Sequence, residues 1–123
     1  MANMNKIFIA GQLGQDVELK YAGKTPVINL SIATSDEWVD DKAKVHKNTD
    51  WHKVTYFGNH AKSLVEKLNL AKGDSLLIEG SMHYSSYEKE GIDIPTAKIK
   101  AEKVQLLRRV EKVSEKAKVK KIK

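Results

Sequence analysis

"WHKVTYFGNHAKSLVEKLNL", residues 51–70, changes its period at Gly58. Up to Phe57 it reads as a strand, with Trp51, Lys53, Thr55 and Phe57 on one side and His52, Val54 and Tyr56 on the other. After Gly58 the spacing becomes helical. Ala61, Leu64, Val65 and Leu68 share one stripe, and Asn59 stands where an N-cap is wanted. A strand that runs directly into a short helix divides the remaining strand signals into those before it and those after. Two large aromatics with a lysine and a hydroxyl between them are also an odd composition for a core.

Before this stretch, Met4–Leu13 reads as a strand ending in a Gly-x-x-Gly turn, and "VELKY" (17–21) as a short extension. "VINLSIATS" (27–35) alternates strictly, with Ile28, Leu30 and Ile32 opposed to Asn29, Ser31 and Ala33. The polar run "DEWVDDKAKVHKNTD" (36–50) reads as a long loop, and a loop of that length inside a compact domain is usually functional. After the helix, Ala71–Asp74 turns the chain and "SLLIEGSMHYSSY" (75–87) returns to strand, with Gly80 marking a bulge or bend. "EKEGIDIP" (88–95) reads as a hairpin loop. "TAKIKAEKVQLL" (96–107) is a last strand carrying Lys98 and Lys100 on one face. The order β-β-β-α-β-β fits a mostly β, five-stranded OB-fold barrel with the helix plugging one end; an SH3-like barrel or another α+β sheet also fits the periodicity.

The 123 residues suffice for one domain with a core. No apolar run approaches the roughly 18 residues of a membrane span, and the first residues hold no apolar stretch of the secretory kind. Cysteine is absent, which excludes disulfides and thiolate zinc sites and fits a reducing cytoplasm. Residues 1–107 carry 14 lysines against 14 carboxylates, so the whole formal charge of +6 falls in residues 108–123. A domain over 1–107 and a basic tail over 108–123 are therefore expected. Any binding surface on the domain must come from local arrangement, not net charge. His46, His52, His60 and His83 fall on different elements without ligand spacing, so no metal and no cofactor are expected.

"NKIFIAGQLGQDVELKY", "INLSIATSDEW", "TDWHKVTYFGNHA" and "KGDSLLIEGSM" resemble, in order and spacing, the bacterial single-stranded DNA-binding protein family over about Asn5 to Leu107. The resemblance implies single-strand binding with little sequence preference, through aromatics that stack on bases and lysines that meet phosphates. Carried over by motif, the aromatics are Trp38, Trp51 and Phe57, with Tyr87 or its neighbour Tyr84 on the later arm; Lys53, Lys98 and Lys100 are the phosphate candidates. It also implies a homo-oligomer, a tetramer paired through first strands, with Lys6, Phe8, His52 and Gln105 at subunit contacts. Ser75 stands where relatives often carry a glutamine that pairs with the one at Gln105.

Roles in replication, recombination and repair follow from the same resemblance, as do a cytoplasmic, nucleoid-associated place and a bacterial or mobile-element origin. Replication and repair proteins are partners by that reading; where typical members run on to an acidic recruiting tip, the sequence reads "EKVSEKAKVKKIK", which fits either a trimmed tail or a divergent member. An OB-fold adaptor of the primosome machinery, acting through protein contacts, is the alternative; such relatives tend to lack the tryptophans. An OB-fold nuclease would want arginines on the phosphate and carboxylates on a metal. The only arginines, Arg108 and Arg109, lie together after the last strand, so no enzymatic activity is expected.

Overall fold

In the computed structural model, residues 2–110 are described. The elements are β1 (Ile7–Leu13), β2 (Leu19–Ala22), β3 (Thr25–Val39), β4 (Val45–Phe57), α1 (Asn59–Glu66), β5 (Ser75–Lys89) and β6 (Ile92–Arg108). Of the basic tail expected over 108–123, residues 111–123 lie outside the described residues.

The strands form one sheet in the order β1-β5-β6-β4-β3-β2, and β1 returns to pair with β3 at Gln12 with Ala33 and Leu13 with Ile32. That closes a ring of five, with the four-residue β2 hung on β3. The ring is the expected barrel. Alternation fills it: Ile9 and Leu13 of β1, Ile28, Leu30 and Ile32 of β3, Val54 and Tyr56 of β4, Leu76 and Ile78 of β5, and Ile99 and Ala101 of β6 form one buried cluster. Each large side chain buried there contributes roughly 1.5–3 kcal/mol. Ala61 and Leu64 of α1 join the same cluster, so the helix does stop one end.

Three local readings are corrected. The segment 36–50 is not a long loop: β3 and β4 stay paired from Thr34 with Asp50 to Val39 with Val45, leaving only the Asp40–Lys44 turn. Likewise 88–95 is ladder, with Lys89 paired to Ile92 around Glu90 and Gly91, both at positive φ as a tight two-residue hairpin turn requires. Both segments are two-stranded arms with water on either face, so neither shows the apolar period by which a strand is read. The helix is capped by Gly58, not Asn59, because the chain leaves β4 through a φ of 102° that glycine adopts without strain.

β1 begins at Ile7 instead of Met4. Ahead of it, Asn5 imitates a ladder residue: its Nδ2 donates to the Met82 carbonyl (2.7 Å) and its Oδ1 accepts the Met82 N–H (3.0 Å). The register shift at Glu79/Gly80 is the bulge expected at Gly80.

Where the chain returns from α1 into β5, Asp74 is 1% exposed. One carboxylate oxygen accepts the amide of Val110 (3.0 Å) and the other that of Ala71 (3.0 Å), while Arg109 lies 3.5 Å away. These contacts tie Arg109 and Val110 to the turn that precedes β5. Asp74→Ala leaves two amides without their acceptor and is expected to cost about 1–3 kcal/mol in a urea titration, with Asp74→Asn recovering part of it. An unshifted midpoint would show that water satisfies those amides equally well.

Candidate nucleic-acid interface

Closure of the ring sets the site. β4 and β6 run parallel, with Val54 beside Ile99 and Thr55 beside Lys100. Val54 and Ile99 point into the core, so Thr55 and Lys100 point out, and the same step puts Lys53 and Lys98 on the outer face. Val54 and Tyr56 are buried and His52 half-buried, whereas Trp51 is 61% and Phe57 43% exposed. Trp51, Lys53, Thr55 and Phe57 form an open face.

A groove of about 510 Å³ runs along this face, lined by Gln15, Asn29, Ser31, Lys53, Thr55, Thr96 and Lys98 among others. Its floor is held by hydrogen bonds: Thr55 Oγ1 donates to Asn29 Oδ1 (3.1 Å), and the Ser85 and Thr96 hydroxyls meet at 2.8 Å on the adjoining arm. The Lys100 ammonium stands 5.7 Å from the centre of the Phe57 ring, an attraction of about 0.5–1 kcal/mol at an exposed site. Large aromatics, small hydroxyl and amide groups and three ammonium groups thus share one surface.

Register separates the remaining candidates. Tyr87 pairs with Ile94, an even step from Lys98 opposite His83, so Tyr87 lies on the ladder face that carries the lysines. Tyr84 pairs with Ala97 and falls on the other face of that arm. Trp38, opposite His46, shares its ladder face with Ile32 and His52, whereas Trp51 sits opposite Ala33 on the reverse. Trp51, Lys53, Phe57, Lys98, Lys100 and Tyr87 are therefore brought onto one face. Trp38 and Tyr84, both exposed, are not on it.

The residues expected at subunit contacts are placed as follows. Lys6 is held within the chain, 2.9 Å from Glu79 and 3.1 Å from Glu102; those hydrogen bonds raise the pKa of the lysine and, from Lys6, lower that of Glu79. Phe8 is 64% exposed on the outer side of β1. His52 Nε2 lies 2.9 Å from the Thr34 hydroxyl. Gln105 is exposed and sits opposite Leu77, while Ser75 faces Arg108. Arg109 is spent on Asp74 and on the carbonyls of Leu68 and Asn69, which takes it away from any phosphate clamp. Among the described residues no cluster of three or more His, Asp or Glu is arranged to hold a metal, and no helix is long and apolar enough to cross a membrane.

The Single-strand binding protein family model matches residues 4–107. The chain belongs to that family. It is 36% identical over 110 residues to the Single-stranded DNA-binding protein 1 of Xylella fastidiosa (strain 9a5c), an alignment covering 87% of this chain and 79% of that protein. Among solved structures, its backbone is similar to that of the Plasmodium falciparum SSB in complex with ssDNA, with TM-score 0.72, 25% identity, and coverage of 89% of this chain and 98% of that one. The single-stranded DNA-binding protein of Thermus aquaticus superposes with TM-score 0.69 at 24% identity over 85% of this chain. The present chain spans about half of that protein, 50% of its length.

The motifs did not point to Gly14. Its N–H donates to the Ser31 carbonyl (2.7 Å), and a Cβ there would overlap the Trp51 ring at Cζ3. The indole is seated on bare backbone. Asn29 and Ser31 were also unassigned, although their strict alternation with Ile28, Leu30 and Ile32 was a visible signal of an outward polar row. With Trp38 replaced by Phe so that Trp51 alone emits, Gly14→Ala is expected to shift the emission maximum and raise acrylamide quenching, with the far-ultraviolet circular dichroism unchanged. Identical emission would mean that Gly14 does not seat the ring.

Proposed function

We propose that this protein binds single-stranded DNA with little sequence preference, stacking bases on Trp51, Phe57 and Tyr87 and meeting the connecting phosphates with Lys53, Lys98 and Lys100. The observation that carries this reading is the exposure of Trp51 and Phe57 with Lys53 between them, on a strand whose reverse face is core. Every base has a π-face, so a flat exposed aromatic holds any base, at about 1–3 kcal/mol each by alanine substitution. Residues 51 and 57 are six apart, roughly 20 Å at strand rise, room for separate nucleotides. Trp38 and Tyr84 take further bases along the arms. Members of this family bind DNA without catalysing a reaction. An adaptor acting mainly through protein contacts would leave this row of exposed aromatics without a role.

The binding unit on this reading is the barrel, with the basic segment after it adding charge. Protection of single strands in replication, recombination and repair is the corresponding cellular role, in a bacterial cytoplasm. Poly-dT is expected to bind at least 100-fold more tightly than a duplex of equal length and to quench tryptophan emission, with Trp51→Ala and Phe57→Ala each weakening it by about 1–3 kcal/mol and keeping the fold. Unfolding of Trp51→Ala would place the indole in the core, and equal affinity for duplex would remove the reading.

Assembly into a homo-oligomer, a tetramer of barrels, belongs to the same proposal. β1 is hydrogen-bonded to β5 along Ile7–Gln12 but to β3 only at Gln12 and Leu13, so its other edge is open over most of its length. Phe8 and Ala10 lie exposed on its outer face, beside Glu79 and Leu77 of β5. An open edge beside an apolar face is the arrangement that pairing with another copy covers. Light scattering at micromolar concentration should give four times the 13.8 kDa chain mass; a monomer mass would exclude assembly.

A further inference from the structure

The tip of the β3–β4 arm holds a constellation that the outer-face site does not use. Trp38 and His46 lie opposite each other across the ladder, their rings stacked with centroids 5.4 Å apart and planes 19° from parallel. His46 is fixed from beyond: its Nε2 donates to Asp40 Oδ2 at 2.9 Å. The other Asp40 oxygen accepts the amides of Lys42 (2.8 Å) and Lys44 (2.9 Å), so the carboxylate that builds the turn also sets the imidazole. The hydrogen bond from His46, with those amides, holds the Asp40 carboxyl below the usual carboxylate range, which keeps the acceptor ionised.

Trp38 is 51% exposed. One face of the indole lies against the imidazole, and the arm that carries it meets solvent on both sides. A free tryptophan on such an arm would sample several rotamers, and a base binding to it would have to order the side chain first. A ring already stacked on a hydrogen-bonded partner has lost that freedom before the ligand arrives.

Building on the proposed single-strand binding, in which Trp38 already takes a base, we propose that His46, held by Asp40, is a positioning residue that covers one indole face and pre-orders the other for a nucleobase. The imidazole touches Trp38 and not the base. The brace contributes by pre-ordering the indole, and an aromatic ring of similar size at position 46 serves the same purpose without the Asp40 bond. Which base stacks on Trp38 is immaterial, since stacking reads no base edge.

The test uses the full chain with Trp51→Phe, so that Trp38 alone emits, and compares His46→Ala and His46→Phe within that background. His46→Ala is expected to raise acrylamide quenching of Trp38 about twofold and to weaken oligo-dT binding by about two- to tenfold, the range of an aromatic pair. His46→Phe should restore both. Unchanged acrylamide quenching in His46→Ala would overturn the brace, as would a His46→Phe protein that shields the indole yet binds like His46→Ala. Failure to quench Trp38 at saturating oligo-dT would also overturn it, by taking the indole off the strand path. Failure of the unsubstituted protein to bind oligo-dT at all is a separate result, which overturns the single-strand reading itself.

Discussion

The parallel contact between β4 and β6 is only two residue pairs long, yet the site depends on it. Val54 beside Ile99 and Thr55 beside Lys100 close the ring and hold the alternation of the two strands in step. Slipping one strand by a single residue would turn Ile99 to water and Lys100 to the core, and the penalty for burying the lysine forbids it. The apolar core therefore fixes the outer face: because Val54 and Ile99 must point in, Lys53, Phe57, Lys98 and Lys100 must point out together. Beyond the closure each strand keeps a single neighbour, and β3–β4 and β5–β6 continue outwards as arms. The barrel supplies rigidity and the arms supply reach.

How much of this was legible follows from where water lies. Ile28, Leu30 and Ile32, and Val54 with Tyr56, separate core from solvent along one strand each, so their period was plain and the barrel and its plug could be read from it. Between Asp36 and Asp50 no such boundary exists, and a paired ribbon looked like a loop. That misreading also obscured the faces. To see that Trp38 and Trp51 lie on opposite sides of a hairpin one must count the register through the turn, and a presumed loop carries no register. Tyr84 and Tyr87, three apart in one strand, fall on opposite faces by parity, but which of the two faces carries the lysines needed the pairing of Tyr87 with Ile94, hidden while 88–95 read as a loop. Gly14 left no trace in the pattern, because its contribution is the side chain it lacks.

Charge was the other partial guide. Residues 1–107 balance 14 lysines with 14 carboxylates, and that total conceals an ordered distribution. Asp16, Asp40, Asp74, Glu79 and Glu102 accept hydrogen bonds from backbone amides, His46 or Lys6. Lys53, Lys98 and Lys100, by contrast, stand on the face of the aromatics. A sum over the chain cannot distinguish carboxylates committed to structure from ammonium groups left to a ligand.

The ammonium of Lys100 over Phe57 has a consequence for the protein while it waits. A row of bare aromatics on an open sheet is the kind of surface by which molecules of one protein stick to one another. With a cation over one ring and lysines between the others, two such faces brought together meet like charges before they meet apolar area. On the proposed reading a polyanion meets the opposite, with a phosphate drawing the ammonium to itself and the ring beneath left to a base. On the proposed reading the same side chains disfavour contact between two such faces and favour a ligand carrying negative charge and flat rings at alternating positions.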